Sequence, residues 1–217
     1  APPPAHRRVI APGAAVAVVA PAGPLPAGAH GAGLDILESR YRVVHLGCPV
    51  PGRPAGTAPP YLAADDRTRA GWINDALRTP AVEAVFCARG GYGVMRILND
   101  LDGEALCRRP RPMVGFSDCT ALHAWAAGLG VASSHGPVLT QLELLPRAHV
   151  EGLFALLEGR RLPRLSGLTT IAAGSARGPL FGGNLALLAH LCGTGWLPEP
   201  DGRILLLEEV NEPPYSI

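Results

Sequence analysis

Short β-branched apolar runs, closed by glycine or proline and followed by stretches of helical periodicity, succeed one another along this chain. Residues 14–20 (AAVAVVA) end in the breaker PAGP, as a strand buried on both faces does where it enters a loop. Residues 28–39 permit a helix with Leu34 and Leu37 on one face and Ile36 on its flank. Residues 41–46 (YRVVHL) read as a second strand and the Pro/Gly-rich stretch 48–60 as a loop. A helix over 65–77 carries Trp72, Ile73, Ala76 and Leu77, and a strand over 81–87 (AVEAVFC) runs into a glycine-rich turn. The alternation goes on with a helix over 94–101, a strand over 112–115 (PMVG), a helix over 120–129 and a strand over 131–134. This order predicts an α/β fold, a Rossmann-like or flavodoxin-like parallel sheet with helices on both faces and right-handed connections. Ligands of such sheets sit beyond the carboxyl ends of the strands, which singles out the loops after Ala20, Cys87 and Gly115.

The pattern changes after a helix expected over 150–160. Residues 161–178 (RLPRLSGLTTIAAGSARG) have the composition of an interdomain linker. A helix entered through glycines is expected over 182–191 and a strand over 203–208 (RILLLE), with no further helix before Ile217 to cover it. The expected organisation is therefore an N-terminal α/β domain over 1–160, a linker over 161–178, and over 179–217 the incomplete beginning of a second α/β domain.

Composition excludes several function classes. Hydrophobic residues make up 47% and charged residues 17%, and the net charge of +1 gives no electrostatic reason to expect a nucleic-acid partner. The apolar stretch 11–22 is broken by Pro12, Gly13 and Pro21, and no run has the length of a membrane span or a signal peptide, so a cytoplasmic protein without a membrane partner is expected. All 19 basic residues are arginine, and Gly (27) and Pro (23) are abundant, a skew that GC-rich coding would produce. The cysteines Cys48, Cys87, Cys107, Cys119 and Cys192 are odd in number and lack CxxC spacing, which argues against a disulfide framework or a zinc site and for small core residues.

The sharpest chemical constellation is Val114-Gly115-Phe116-Ser117-Asp118-Cys119-Thr120, a strand that turns at Gly115 and enters a helix. A serine on such a turn holds its hydroxyl clear of the sheet, and the first N–H groups of the helix can stabilise an oxyanion. On local sequence alone the commoner outcome is an N-cap, with Ser117 or Asp118 accepting helix N–H bonds. Arg89-Gly90-Gly91-Tyr92-Gly93 follows a strand, and its glycines let the backbone approach an oxyanion or a substrate carboxylate; a tight turn with Arg89 in solvent fits the residues equally well. It is not a dinucleotide fingerprint, and no phosphate loop occurs. Glu208 and Glu209 end the strand ILLLEE, where a carboxylate can orient an imidazole, although most such acids are surface charges. Among the histidines, His123 and His190 fall on expected helices as packed or surface residues, and His135 is the one the strand rule brings towards Ser117.

Taken in order, VAVVAPAGP, RGGYGVMRILNDLD, GFSDCTALH, HGPVL, GPLFGGNLALLAHLCGTGWLP and ILLLEEVNEPPYSI resemble the LD-carboxypeptidase (muramoyltetrapeptide carboxypeptidase) family, which also contains the microcin-immunity serine peptidases. The resemblance runs from Val16 to Ile217. It implies a two-domain serine peptidase with Ser117 as nucleophile and Glu208 as the acid of the triad; Glu209 stands where the family more often has aspartate. Oxyanion donors would be the N–H of Asp118 and that of Gly90 or Gly91, with Arg89 and other arginines near the substrate carboxylate. Asn184 in GGNL would be structural, at the domain junction. The family's histidine lies downstream of the acid, in a segment these residues do not match, so the chain by itself is expected to be weak or dead in catalysis. The implied substrate is a murein tetrapeptide, cut between the L-centre of a diamino acid and the terminal D-alanine during cell-wall recycling. No metal or organic cofactor is needed, and a homodimer is implied. The alternatives are a microcin-immunity-type peptidase acting on peptidyl-nucleotides and, in another class, a non-catalytic muropeptide-binding module.

Overall fold

The computed structural model describes residues 8–28, 31–48 and 55–217. Residues 29–30 of the first expected helix, 49–54 of the expected loop and the first seven residues lie outside them.

Strands β1 (Ala15–Val19), β2 (Arg42–Gly47), β3 (Ala84–Cys87), β4 (Met113–Gly115) and β5 (Ser134–His135) form one parallel sheet in the order β2-β1-β3-β4-β5. This is the flavodoxin-like order, as expected of the alternating sequence. Side chains alternate between two layers. Ala17, Val19, Val85, Cys87 and Met113 pack under helices α2 (Asp66–Arg78), α3 (Gly103–Arg108) and α4 (Thr120–Gly128). Val16, Val18, Ala84, Phe86 and Val114 pack on the other face, under α1 (Gly31–Glu38) and α5 (Arg147–Leu157). Because both faces are covered, the strands read as unbroken apolar runs and not as alternating ones. Each large side chain so buried contributes roughly 1.5–3 kcal/mol.

Several local expectations are corrected. Val94–Asp100 is a 3-10 helix, in which Val94 and Ile97 eclipse and share the buried side. Leu101 breaks it, and Asp102 caps the unexpected helix α3 by accepting the Ala105 amide at 2.9 Å. Strand β5 is two residues long, because its pairing is set by Val114↔Ser134 and Gly115↔His135 and not by the apolar stretch before them. Leu139–Leu144 adds a 3-10 helix, and α5 starts at Arg147, after Pro146.

Gly182 and Gly183 belong to a strand, β6 (Leu180–Asn184), and helix α6 is confined to Leu185–Leu191. Strand β6 pairs in parallel with β7 (Ile204–Glu208), and Asn184 lies opposite Glu208. A Cβ at Gly182 would sit 1.8 Å from the Leu206 carbonyl oxygen, and one at Gly183 would sit 2.6 Å from Thr120 Oγ1. These glycines let β6 press between β7 and α4, which a helix with side chains could not do. Asn184 caps α6 by accepting the Leu187 amide. Between α5 and β6 there is no helix or strand among the described residues.

Cys87 and Cys119 are buried and Cys48 is half-buried, but Cys107 and Cys192 are exposed, which corrects the expectation that all five fill the core. Among the described residues no helix is long and apolar enough to cross a membrane.

Candidate active site

The loops after β1, β3, β4 and β5 meet at the carboxyl end of the sheet. The β4–α4 connection is the tightest. A Cβ at Gly115 would fall 2.6 Å from Cys119 Cβ, so glycine there lets the chain fold straight back into a short 3-10 turn, Ser117–Cys119. Phe116 is extended, and Ser117 takes φ 59°, one of two non-glycine residues with positive φ among those described. Holding a serine in the left-handed region costs about 1–2 kcal/mol. No capping bond compensates for this cost: the residue entering the turn is Phe116, which has no side-chain cap, and Ser117 Oγ makes no hydrogen bond among the described residues. The hydroxyl is half-buried at the floor of the loop cluster.

The glycine-rich turn lies directly against this serine. A Cβ at Gly90 would be 3.1 Å from Ser117 Cβ, 3.2 Å from the Phe116 carbonyl oxygen and 3.5 Å from Ser117 Oγ, so a side chain there would crowd the serine turn. The Gly90 carbonyl accepts the Gly23 amide at 3.1 Å, which fixes the plane of the peptide that follows Gly90. Among the described residues the N–H groups of Gly90, Gly91 and Asp118 meet no acceptor. The structure thus brings Ser117, Gly90, Gly91 and Asp118 together, with free donors near a free hydroxyl. Arg89 behaves differently: its Nη1 donates to the Pro24 carbonyl at 2.6 Å, tying the loop after β3 to the loop after β1.

Sequence reasoning missed two groups that hold these loops. The side chain of Asp118, not only its amide, is used: Oδ2 accepts the Val94 N–H at 2.9 Å, locking the serine turn to the end of the glycine-rich turn. Burial pushes this carboxyl up to about 6, against the opposing pull of the Val94 bond and of Arg69. Arg69 is fully buried and donates to three backbone carbonyls, Ala64 at 3.1 Å, Gly93 at 2.9 Å and Pro21, besides pairing with Asp66. A signal for it existed, since Arg69 precedes Ile73 and Ala76 on the apolar face of the helix.

Glu208 reaches the same end from the second sheet. Its ladder partner Asn184 donates its backbone N–H to Thr120 Oγ1 at 3.0 Å, just beyond the serine turn. The two adjacent acids divide their tasks. Glu209 is bound into the start of α6, accepting from Asn184 Nδ2, Ala186 N–H and Val210 N–H, and these bonds hold its carboxyl below the usual range. Glu208 makes none of those bonds, and burial, with Glu209 next to it, raises its carboxyl. Its Oε1 lies 3.4 Å from His135 Nε2. His135 packs against the Phe116 ring at 5.1 Å and the buried His123 ring at 5.8 Å, and burial lowers its imidazole. His123 Nε2 donates to the Gly115 carbonyl at 2.9 Å, and burial lowers its imidazole to about 4, so it is neutral at neutral pH.

A bare serine hydroxyl, unpaired amide donors in the turns beside it and a carboxylate at the end of β7 are the parts of an acyl-transfer site. The model of the LD-carboxypeptidase N-terminal domain matches residues 16–136, more than half of the chain, and that of the LD-carboxypeptidase C-terminal domain matches 177–217. This chain belongs to the LD-carboxypeptidase family. It is similar to a Streptomyces coelicolor protein named as a carboxypeptidase (44% identity, 96% of this chain and 68% of the relative). It is also similar to the murein tetrapeptide carboxypeptidase of Pseudomonas aeruginosa (35% identity, 93% of this chain and 68% of the relative). Among solved structures, MccF in complex with glutamyl sulfamoyl guanosine superposes with a TM-score of 0.82 over 98% of this chain and 73% of its own, at 21% identity, which shows a shared fold. Within the LD-carboxypeptidase fold, the residues matched by the N-terminal model contain the serine turn and the glycine-rich turn, and those matched by the C-terminal model contain Glu208.

Proposed function

We propose that this chain carries the nucleophile and the acid of a serine LD-carboxypeptidase that removes the terminal D-alanine from murein tetrapeptides, cutting after the L-centre of the diamino acid. The observation that carries this reading is Ser117 held at positive φ with Gly90 against it and no capping role. In this reading, the imidazole of the family's downstream histidine takes the Ser117 proton, Oγ attacks the amide carbonyl, and the N–H groups of Asp118 and of Gly90 or Gly91 hold the developing charge. Glu208 orients that imidazole, which returns the proton to the D-alanine nitrogen as the C–N bond breaks; water, deprotonated by the same imidazole, then hydrolyses the acyl ester and restores the Ser117 hydroxyl. The unit over 1–160 supplies the nucleophile, and the unit that begins at 179 supplies the acid across the linker 161–178. The setting is cell-wall recycling in the cytoplasm.

The 35% identity to a murein tetrapeptide carboxypeptidase favours this substrate over a peptidyl-nucleotide, for which the support is a 24% identity to the Escherichia coli microcin C7 self-immunity protein and a likeness of fold at 21% identity. The test is hydrolysis of a murein tetrapeptide by the full-length protein, with Ser117→Ala beside it. D-alanine release that disappears in the variant is the expected result, and turnover retained in the variant overturns the assignment. A fluorophosphonate probe on the same pair separates a primed nucleophile, which labels at Ser117, from a binding module, which does not.

A further inference from the structure

Five buried side-chain nitrogen or oxygen atoms among the described residues have no hydrogen-bond partner, and four of them, His123 Nδ1, His135 Nδ1, His135 Nε2 and Glu208 Oε1, lie in one place. Buried polar groups are nearly always paired, so a concentration of orphans marks a site whose bonds are made in another state of the molecule. His135 and His123 also line a cavity of about 820 Å³ between the β5 edge, the end of α4 and strand β6. The ion-pair distance of 3.4 Å between His135 Nε2 and Glu208 Oε1 is close, yet it lacks hydrogen-bond alignment. Bonds of this kind are long in unliganded sites and tighten when the site is filled.

The position of this contact is what gives it a consequence. His135 ends β5 of the sheet that carries the serine, its register fixed by Gly115↔His135 and by the Gly136 amide on the Gly115 carbonyl at 2.9 Å. Glu208 ends β7 of the other sheet. The two sheets therefore meet, through side chains, at the acid. Glu209 is already consumed by α6, so it cannot take this part.

We infer that His135 is a positioning residue: its Nε2–H donates to Oε1 of Glu208 and sets the acid relative to Ser117, leaving the second carboxylate oxygen for the imidazole of the catalytic base. A neutral imidazole suffices, because Nε2–H donation needs no added proton. His123 supports the arrangement from behind; its Nε2–H is spent on the Gly115 carbonyl, so its Nδ1 is an acceptor and cannot compete as a donor for the carboxylate. The inference rests on Glu208 being the acid of the proposed peptidase.

Two measurements test it. In the full-length protein turning over a murein tetrapeptide, where the site is filled, a double-mutant cycle of His135→Ala and Glu208→Ala read by kcat is expected to be non-additive by about fivefold or more, and additive losses would overturn the contact. In the full-length protein, His135→Ala is expected to lower kcat by about 10–100-fold with KM changed less than about twofold, since misplacement of a catalytic group by an ångström has that order of effect. His135→Gln, which keeps a side-chain N–H donor, is expected to restore most of the loss; equal activity of His135→Ala and wild type, or equal losses in the two variants, would overturn the positioning role. Ser117→Ala measured alongside keeps the failures apart: an active Ser117→Ala removes the peptidase reading itself, whereas a dead Ser117→Ala beside an unaffected His135→Ala removes only this inference.

Discussion

Asp118 Oδ2 accepts the amide N–H of Val94 at 2.9 Å, so the residue after the candidate nucleophile is bonded to the residue after the glycine-rich turn. One buried carboxyl thereby sets the distance between the hydroxyl and the amides that would receive the negative charge it generates. This carboxyl titrates at about 6, above its ordinary value of 3.8, because burial penalises its charged form. A raised folded-state value means that its contribution to stability is fully present below about pH 4 and is lost as pH rises through about 6; the loss is about 3 kcal/mol. Asp118→Asn keeps an oxygen acceptor for Val94 and removes the charge. The variant is expected to exceed the wild type in stability at pH 7 and to match it near pH 4 in urea unfolding. A gap that does not change with pH would show that the carboxyl does not titrate in this window.

His123 works in the opposite direction. Burial lowers its imidazole from 6.5 to about 4, so its contribution is present above about pH 6.5 and is lost as pH falls through about 4, an effect of about 3 kcal/mol. His123→Gln can still donate to the Gly115 carbonyl but cannot be protonated. Across pH 6.5 to 4 the wild type is expected to lose stability relative to this variant, measured by unfolding midpoints in matched buffers. Parallel pH profiles would remove His123 as the cause.

The strain at Ser117 predicts an inverted ranking of substitutions. In a helix interior, alanine is more stable than glycine by about 1 kcal/mol. At φ 59° the order should reverse, with Ser117→Gly more stable than Ser117→Ala by about 1 kcal/mol and both lacking the candidate nucleophile. Chemical denaturation of the two variants decides it, and an alanine variant that is the more stable would show that the turn relaxes out of the left-handed region.

Arg69 joins Ala64, Pro21 and Gly93 through their carbonyls from a fully buried position. Arg69→Met strands those acceptors and is expected to cost about 3 kcal/mol, which for a chain of this size lowers Tm by roughly 6–12 °C. Arg69→Lys should recover little of this, because one ammonium cannot span carbonyls that a planar guanidinium reaches together. Thermal unfolding followed by circular dichroism measures both; full recovery by lysine would mean that the charge, and not the fork, is what the loops require.

Much of the scaffold was legible in the residues. Runs such as AVAVV and AVFC are apolar at consecutive positions because both faces of a parallel sheet are covered, and that local property needs no knowledge of distant partners. The order of motifs likewise pointed to Ser117, Glu208 and the RGGYG turn as candidates, and the structure brings these segments to one end of the sheet. Legibility failed where one residue had to fit another far along the chain. GGNL resembles the start of a helix, but Gly182 and Gly183 are strand residues because they pair with Leu206 and Leu207 of β7, where Leu206 and Thr120 leave no room for a Cβ. The apolar pattern of 131–134 pointed one way, and pairing with Gly115 placed the strand at Ser134–His135.

The sequence by itself determined the layered α/β architecture, the serine on a strand-to-helix turn and the family to which the chain belongs, since these follow from periodicity, turn chemistry and motif order within short windows. Only the tertiary structure decided that Ser117 is strained and uncapped, that Asp118 and Arg69 brace the loops, that Glu209 is consumed by α6, and that His135 faces Glu208. Those facts depend on distances between segments tens of residues apart, which packing sets and local composition does not encode.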